Sequence, residues 1–258
     1  MTPALHAEWT KLRTVAGPFW LVALAAVLTA GLSAGVAGAV TCAAAGCGID
    51  APQIALTGVQ LGQAVVAVFA VMVVGDEYRT GMIRTTLAAT PSRVVLLAAK
   101  SVVVAGATLA AAVPGVLGSY VVGRLILPGR GFTAANGYEP LSLTDGATLR
   151  AVAGSALYLT LVALLSLGLA AAVRDAPTGV GVVLGVLYLA PVLVAVVSDP
   201  DWERRLRQIT PSDAGLAIQH TIDLPSLPIG PWPGLGVLAL WSAGALLLGG
   251  LLLRLRDA

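Results

Sequence analysis

Six stretches of this chain run for about twenty residues without a single Asp, Glu, Lys, Arg or His: Phe19–Val40, Leu56–Val74, Ser101–Gly123, Ala151–Val173, Thr178–Val197 and Pro233–Leu253. An α-helix needs about 20 apolar residues to cross a hydrocarbon core about 30 Å thick, so each run has the length of a membrane span. The runs are continuous rather than alternating, which points to helices and away from barrel strands. Hydrophobic residues make up 57% of the chain and charged residues 11%. Soluble domains carry about 25% charge, so this chain has too little polar surface to fold in water. No hydrophilic block is long enough to fold separately. The expected fold is therefore all-α: residues 1–258 form a single transmembrane domain, a polytopic membrane protein with six transmembrane helices.

An even number of spans leaves both termini on one side. With the termini inside, the inner segments carry Lys11, Arg13, Arg79, Arg84, Arg93, Lys100, Arg174, Arg254 and Arg256. The outer segments carry Arg124, Arg130, Arg150, Arg204, Arg205 and Arg207 over a greater length, and the first outer loop has no Lys or Arg. The positive-inside rule thus predicts an N-in, C-in topology. The first apolar run is too long for the core of a signal peptide and five more follow, so no cleavage is expected. Two lysines stand against thirteen arginines. That bias reads as the codon composition of a GC-rich bacterial genome, and a multi-pass protein of the cell membrane is expected.

Several function classes find no support. A net charge of +2 with no basic stripe does not suit nucleic acid. Ion-coupled transporters rely on ionisable groups within the spans, and these spans have none. Lys100-Ser101 mimics the end of a nucleotide-binding loop, but Val94 and Ala99 occupy the glycine positions. His6 and His220 are too few and too isolated for a metal site or a catalytic triad. The chain is not expected to be an enzyme or to bind a cofactor itself.

Gln60 and Gln63 lie about one turn apart on the second span and form a polar face, suited to interhelical hydrogen bonding or to lining a pathway. Cys42 and Cys47, both in the first outer loop, are close enough for a small disulfide worth about 2 kcal/mol on a chain-entropy model; two free thiols are the alternative. Trp202, Leu206 and Ile209 fall on one face of a short helix whose other side carries Glu203, Arg204, Arg205 and Arg207. Pro3–Arg13 mixes Leu5, Trp9 and Leu12 with Glu8, Lys11 and Arg13, as an interfacial helix does, with Trp9 and Trp20 as anchors. Gly181 and Gly185 form a small-xxx-small pair that predicts close helix packing on the fifth span.

The segment after the second span carries the most information. It reads Asp76-Glu77-Tyr78-Arg79-Thr80-Gly81, then Met82-Ile83, then Arg84-Thr85-Thr86-Leu87, and Pro91-Ser92-Arg93 before the third span. Met82, Ile83, Thr86 and Leu87 recur at helical spacing, which predicts a short amphipathic helix over 81–89, stopped by Pro91. Such a helix can dock into a groove on a partner. Together with Glu8-Trp9-Thr10-Lys11-Leu12-Arg13-Thr14 ahead of Trp20, with Lys100, and with Thr210-Pro211-Ser212-Asp213-Ala214-Gly215 between the last two spans, this order resembles the permease subunits of type 2 ATP-binding-cassette (ABC) exporters. The resemblance extends over nearly the whole chain.

It implies an N-terminal interfacial helix, a cytoplasmic coupling helix after the second span, and short re-entrant or surface helices before the sixth. It implies export of a hydrophobic or amphipathic small molecule, peptide or lipid, driven by a separate ABC ATPase subunit that binds ATP and Mg. It also implies pairing with a second permease subunit, as homodimer or heterodimer, and a pathway between the two lined by the second and fifth spans. Asp76, Glu77, Arg79, Gly81, Arg84 and Leu87 would form the ATPase-docking surface, and Gln60 and Gln63 would line the pathway. A force-relay or lipid-extraction subunit of the same architecture remains open, as does an ion-coupled transporter or channel.

Overall fold

The computed structural model describes residues 2–14, 16–43, 47–82, 85–86 and 92–255. Among these there are helices and no strands. In chain order the helices are α1 (Thr2–Thr14), α2 (Ala16–Ala39), α3 (Ala51–Ala55), α4 (Val59–Arg79), α5 (Arg93–Ile126), α6 (Gly146–Val173), α7 (Ala176–Ala195), α8 (Pro200–Ile209), α9 (Pro211–Leu216) and α10 (Pro231–Leu255). Six of them, α2, α4, α5, α6, α7 and α10, are long and apolar enough to cross a membrane.

The helices outrun the apolar stretches wherever a polar cap starts them earlier. Ser92 caps α5 by accepting from the Val95 N–H, nine residues ahead of the apolar run that begins at Ser101. Asp145 caps α6 by accepting from the Ala147 and Thr148 N–H groups. A cap satisfies amide donors that no helical carbonyl can reach, so the helix begins at the cap and not where hydrophobicity begins. Helix α5 reaches 34 residues as a result, about 51 Å, well beyond the hydrocarbon core.

Side-chain links set both ends of the bundle. Arg93 at the start of α5 donates to the Leu253 carbonyl, and Arg174, in the left-handed conformation at the end of α6, donates to that of Leu252. The two arginines thus satisfy unpaired carbonyls at the C-terminus of α10 and complement its dipole. This end, the terminal face, holds α1, the end of α4, the start of α5 and the end of α10. The opposite end, the distal face, is built from loops. There Asp50 accepts from the N–H groups of Gln53, Thr221 and Ile222 and from the Thr221 hydroxyl. The Tyr138 hydroxyl accepts from the Ile49 N–H, and the Cys42 N–H donates to Arg130.

Half or more of the most apolar stretch of each of α4, α5 and α6 is buried, against under a third for α2, α7 and α10. The core therefore lies along the middle three helices. In lipid, helices gain by close van der Waals approach more than by hydrophobic burial, so small residues mark the crossings. Gly58 and Gly62 of the α3–α4 region sit against Thr29 and Ser33 of α2, and Gly249 of α10 sits on the Gly168 carbonyl of α6. The pair Gly181 and Gly185, expected to pack closely, has open space where a side chain would stand. The fifth span instead packs through Gly179, against Val71. Hydrophobic pattern identifies which helices span, but it does not say which face of each meets a neighbour.

Helix α7 includes a π turn at Gly185–Leu189. Pro191 follows within it, and proline has no N–H to bond the carbonyl four residues back, so the turn widens there. Between α7 and α10 the chain folds back into the bundle. Gly215 meets the Tyr158 ring, twelve residues and about 18 Å into α6. The Trp241 indole N–H donates to the Ile209 carbonyl from ten residues, about 15 Å, into α10. Helix α9 thus packs against α6 and α10 within the bundle, and α8 lies beside it with Trp202 and Ile209 exposed.

Candidate functional site

Helix α1 contributes Glu8 and Lys11, three residues apart and so on one face. Helix α4 brings Glu77 two residues before its end, and α5 brings Lys100 seven residues after its start. The Lys100 ammonium lies 2.7 Å from Glu8 Oε2 and 2.7 Å from Glu77 Oε1. The Lys11 ammonium lies 2.8 Å from Glu8 Oε1 and 2.7 Å from Glu77 Oε1. Two carboxylates and two ammonium groups thus alternate around a closed ring. Side-chain exposure is 4% for Lys100 and Glu77, 5% for Glu8 and 30% for Lys11, so three of the four charges are withdrawn from solvent. The ring contains both lysines of the chain. A scarcity that reads as codon bias leaves the only two ammonium groups where two carboxylates need them.

The ring stands at the root of the segment after α4. Lys11 also donates to the Thr86 hydroxyl at 3.3 Å, reaching across from α1. A cavity of about 90 Å³ lined by Leu12, Met72, Met82 and Val103 opens beside it. Glu77 Oε2 is buried and has no hydrogen-bond partner. Burial works against the charge of Lys11, but its hydrogen bonds to Glu77 and Glu8 outweigh that, so its pKa lies above the ordinary lysine value. The arrangement contains no nucleophile paired with a base. Among the described residues no three His, Cys, Asp or Glu side chains converge as a metal site. The ring links α1, α4 and α5 at the terminal face.

The other residues singled out in 75–93 occupy different roles. Asp76 and Arg79 form an ion pair at 3.2 Å, with Arg79 largely exposed. The Thr80 N–H and hydroxyl both return to the Asp76 carbonyl, which caps α4. Gly81 adopts φ +71°, the left-handed conformation that ends helices and that glycine takes without steric cost. Met82, Thr85 and Thr86 have helical backbone, and both threonine hydroxyls bond the Met82 carbonyl. Arg84 and Leu87 lie outside the described residues, as does most of the helix predicted over 81–89.

The two glutamines separate. Gln60 is exposed, whereas Gln63 is 2% exposed and accepts a hydrogen bond from the Tyr158 hydroxyl of α6. Tyr188, inside the π turn of α7, donates to the Gln60 carbonyl and also engages the Gln63 amide. The Gln63 amide thus bonds across the junction of α4 with α6 and α7. The tyrosines at this junction were not singled out in the sequence, since single aromatic residues in apolar runs look like packing. Asp213 sits between spans in the chain, yet α9 carries it into electrostatic range of Tyr158 on α6. Its Oδ2 is buried without a partner, as is the adjacent Ser212 hydroxyl.

Cys42 and Cys47 are joined in a disulfide at the distal face. There His220 accepts from the Gln53 amide in its neutral form, and burial lowers its pKa more than the Asp50 carboxylate raises it. Comparison with known proteins places the chain in no family: no family model matches its sequence, and no curated protein matches it.

Proposed function

We propose that this chain is the membrane-spanning subunit of an ATP-driven exporter of the type 2 ABC class, with its terminal face in the cytoplasm. The observation that carries this reading is the buried ring of Glu8, Lys11, Glu77 and Lys100. A segment that receives a push from an ATPase must pass it to the spans without being absorbed by loose connections. The ring ties the root of the 75–93 segment to an interfacial helix and to two of the three most buried spans, which supports such a role. Closed polar networks with few exposed members resist deformation, since opening one leaves charges unpaired at low dielectric. The distribution of Lys and Arg supports the cytoplasmic placement of this face.

In this reading Asp76, Arg79, Arg84 and Leu87 present the surface that meets the ATPase, Gly81 sets its angle to α4, and Glu77 belongs to the joint behind it. ATP and Mg bind the partner, and this chain supplies no catalytic group. The weakly buried α2 and α7 leave surface for a second permease subunit.

The test is co-purification of the tagged protein from its native host, followed by mass spectrometry and an ATPase assay. A stoichiometric ABC-type ATPase is expected, and replacing Glu77 by Gln should leave the complex assembled while uncoupling hydrolysis from transport. A well-folded protein that runs without any ATPase would overturn the proposal. ATPase activity stimulated by a substrate that never crosses a vesicle membrane would instead identify a force-relay subunit of the same architecture.

A further inference from the structure

Between α5 and α10, on the perimeter of the bundle near the terminal face, lies an apolar groove of about 450 Å³. Its walls include Val94 and Leu97 of α5 and Leu247, Gly250 and Leu251 of α10, and Arg254 stands at its end. Val94, Leu247 and Leu251 are exposed, so the groove opens outward to the bilayer. Gly250 forms its floor: a Cβ there would come within 3.3 Å of Leu97 Cδ2. Ser101, the one hydroxyl in the lining, is turned back to the Leu97 carbonyl, so the interior offers no free hydrogen-bonding group from that residue.

Among the described residues that line the groove, Arg254 is the one charged group. Arg93 and Arg174 are held against the Leu253 and Leu252 carbonyls. Arg254 is exposed, and no ion pair or hydrogen bond to it occurs among the described residues. From Leu246 to Arg254 the helix rises about 12 Å, close to the roughly 15 Å depth of one leaflet's hydrocarbon.

We infer that this groove is a binding site for one acyl chain of an anionic phospholipid, with Arg254 meeting the phosphate. The groove runs along the helices as a lipid tail does, and Arg254 at its end supplies the charge that a lipid phosphate matches. In a bilayer an apolar groove is filled by hydrocarbon, and a cation at its polar end selects for negative headgroups. The inference does not depend on an ATPase partner.

Native mass spectrometry tests it on the full chain released from detergent after mixing with equimolar phosphatidylglycerol and phosphatidylcholine of identical acyl chains. One phosphatidylglycerol should be retained at least fivefold over phosphatidylcholine. Arg254→Gln should bring that ratio close to one while a lipid still binds. Gly250→Leu, which fills the floor, should reduce retention of both lipids at least fivefold; if that variant does not fold, Leu247→Trp narrows the groove from its exposed rim and should do the same. Equal retention of the two lipids by the wild type, an unchanged ratio in Arg254→Gln, or undiminished retention in the groove-filling variant would each overturn the site. So would a lipid-free dimer that Gly250→Leu dissociates.

Discussion

Lys11 and Lys100 share the same two carboxylates, yet their replacements should differ. Lys100 is buried with both of its acids, so Lys100→Met would strand a net negative charge at low dielectric, with a loss of about 3–5 kcal/mol. Lys11 is partly solvated, and water can replace part of what Lys11→Met removes, so the loss should be smaller. Thermal unfolding in detergent measures both, and equal losses would mean that burial does not govern the ring. The pH dependence follows from the raised pKa of Lys11. The folded state holds this proton more tightly than the unfolded one, so the contribution is complete below the usual value of 10.5 and disappears as pH rises through the folded value. The wild type should therefore lose stability on the alkaline side of 10.5, with a shallower slope in Lys11→Met.

Among the elements, the crossing of α6 and α10 depends on the absence of side chains. Gly249 lies 2.6 Å, measured from its would-be Cβ, from the Gly168 carbonyl, which is backbone and cannot swing aside. Gly249→Leu must push the helices apart, and overpacking of this kind costs about 1–3 kcal/mol. Gly181→Leu, on a face with open space, should leave the melting temperature nearly unchanged unless a second subunit covers that face. The start of α6 is sensitive in a different way. The Asp145 carboxylate accepts from Thr148 and Ala147, and those bonds hold its pKa below the usual carboxylate value. A lowered folded pKa means that the contribution is present above the unfolded value and is lost as pH falls through the folded one. Asp145→Asn should retain most of the cap and remove that acid sensitivity, while Asp145→Ala should cost about 1 kcal/mol.

Taken whole, the molecule sorts its polar groups by depth. The charge ring is at the terminal face, a tyrosine–glutamine junction lies within the bundle, and the Asp50 hub with the disulfide closes the distal face. A cysteine at Gln60 should react with a membrane-impermeant thiol reagent in at least one nucleotide state of the assembled complex. One at Gln63 should remain protected, because Tyr158 covers it. Reaction at Gln63 but not at Gln60 would mean that the junction opens during transport and that the pathway runs through it. The native cysteines do not interfere while they remain bridged.

The six spans, the all-helical fold and the breaks between helices were legible along the chain, because a membrane core imposes one length and one composition on anything that crosses it. The cap at Ser92 and the stop at Gly81 depend only on residues within a turn, yet the sequence pattern starts a helix at Gly81 and the third span at Ser101. Lys100 is different. Its partners Glu8 and Glu77 lie 92 and 23 residues away, and no periodicity relates them. Gln63 could be seen as a polar group in a span, but only the placement of α6 supplies Tyr158 and decides that it bonds inward. Asp213 reads as a loop acid until the chain folds back and carries it towards Tyr158 of α6. Hydrophobicity acts on each residue separately and so can be read from order alone. Pairing and depth depend on which helices become neighbours, and that is decided only when the helices pack.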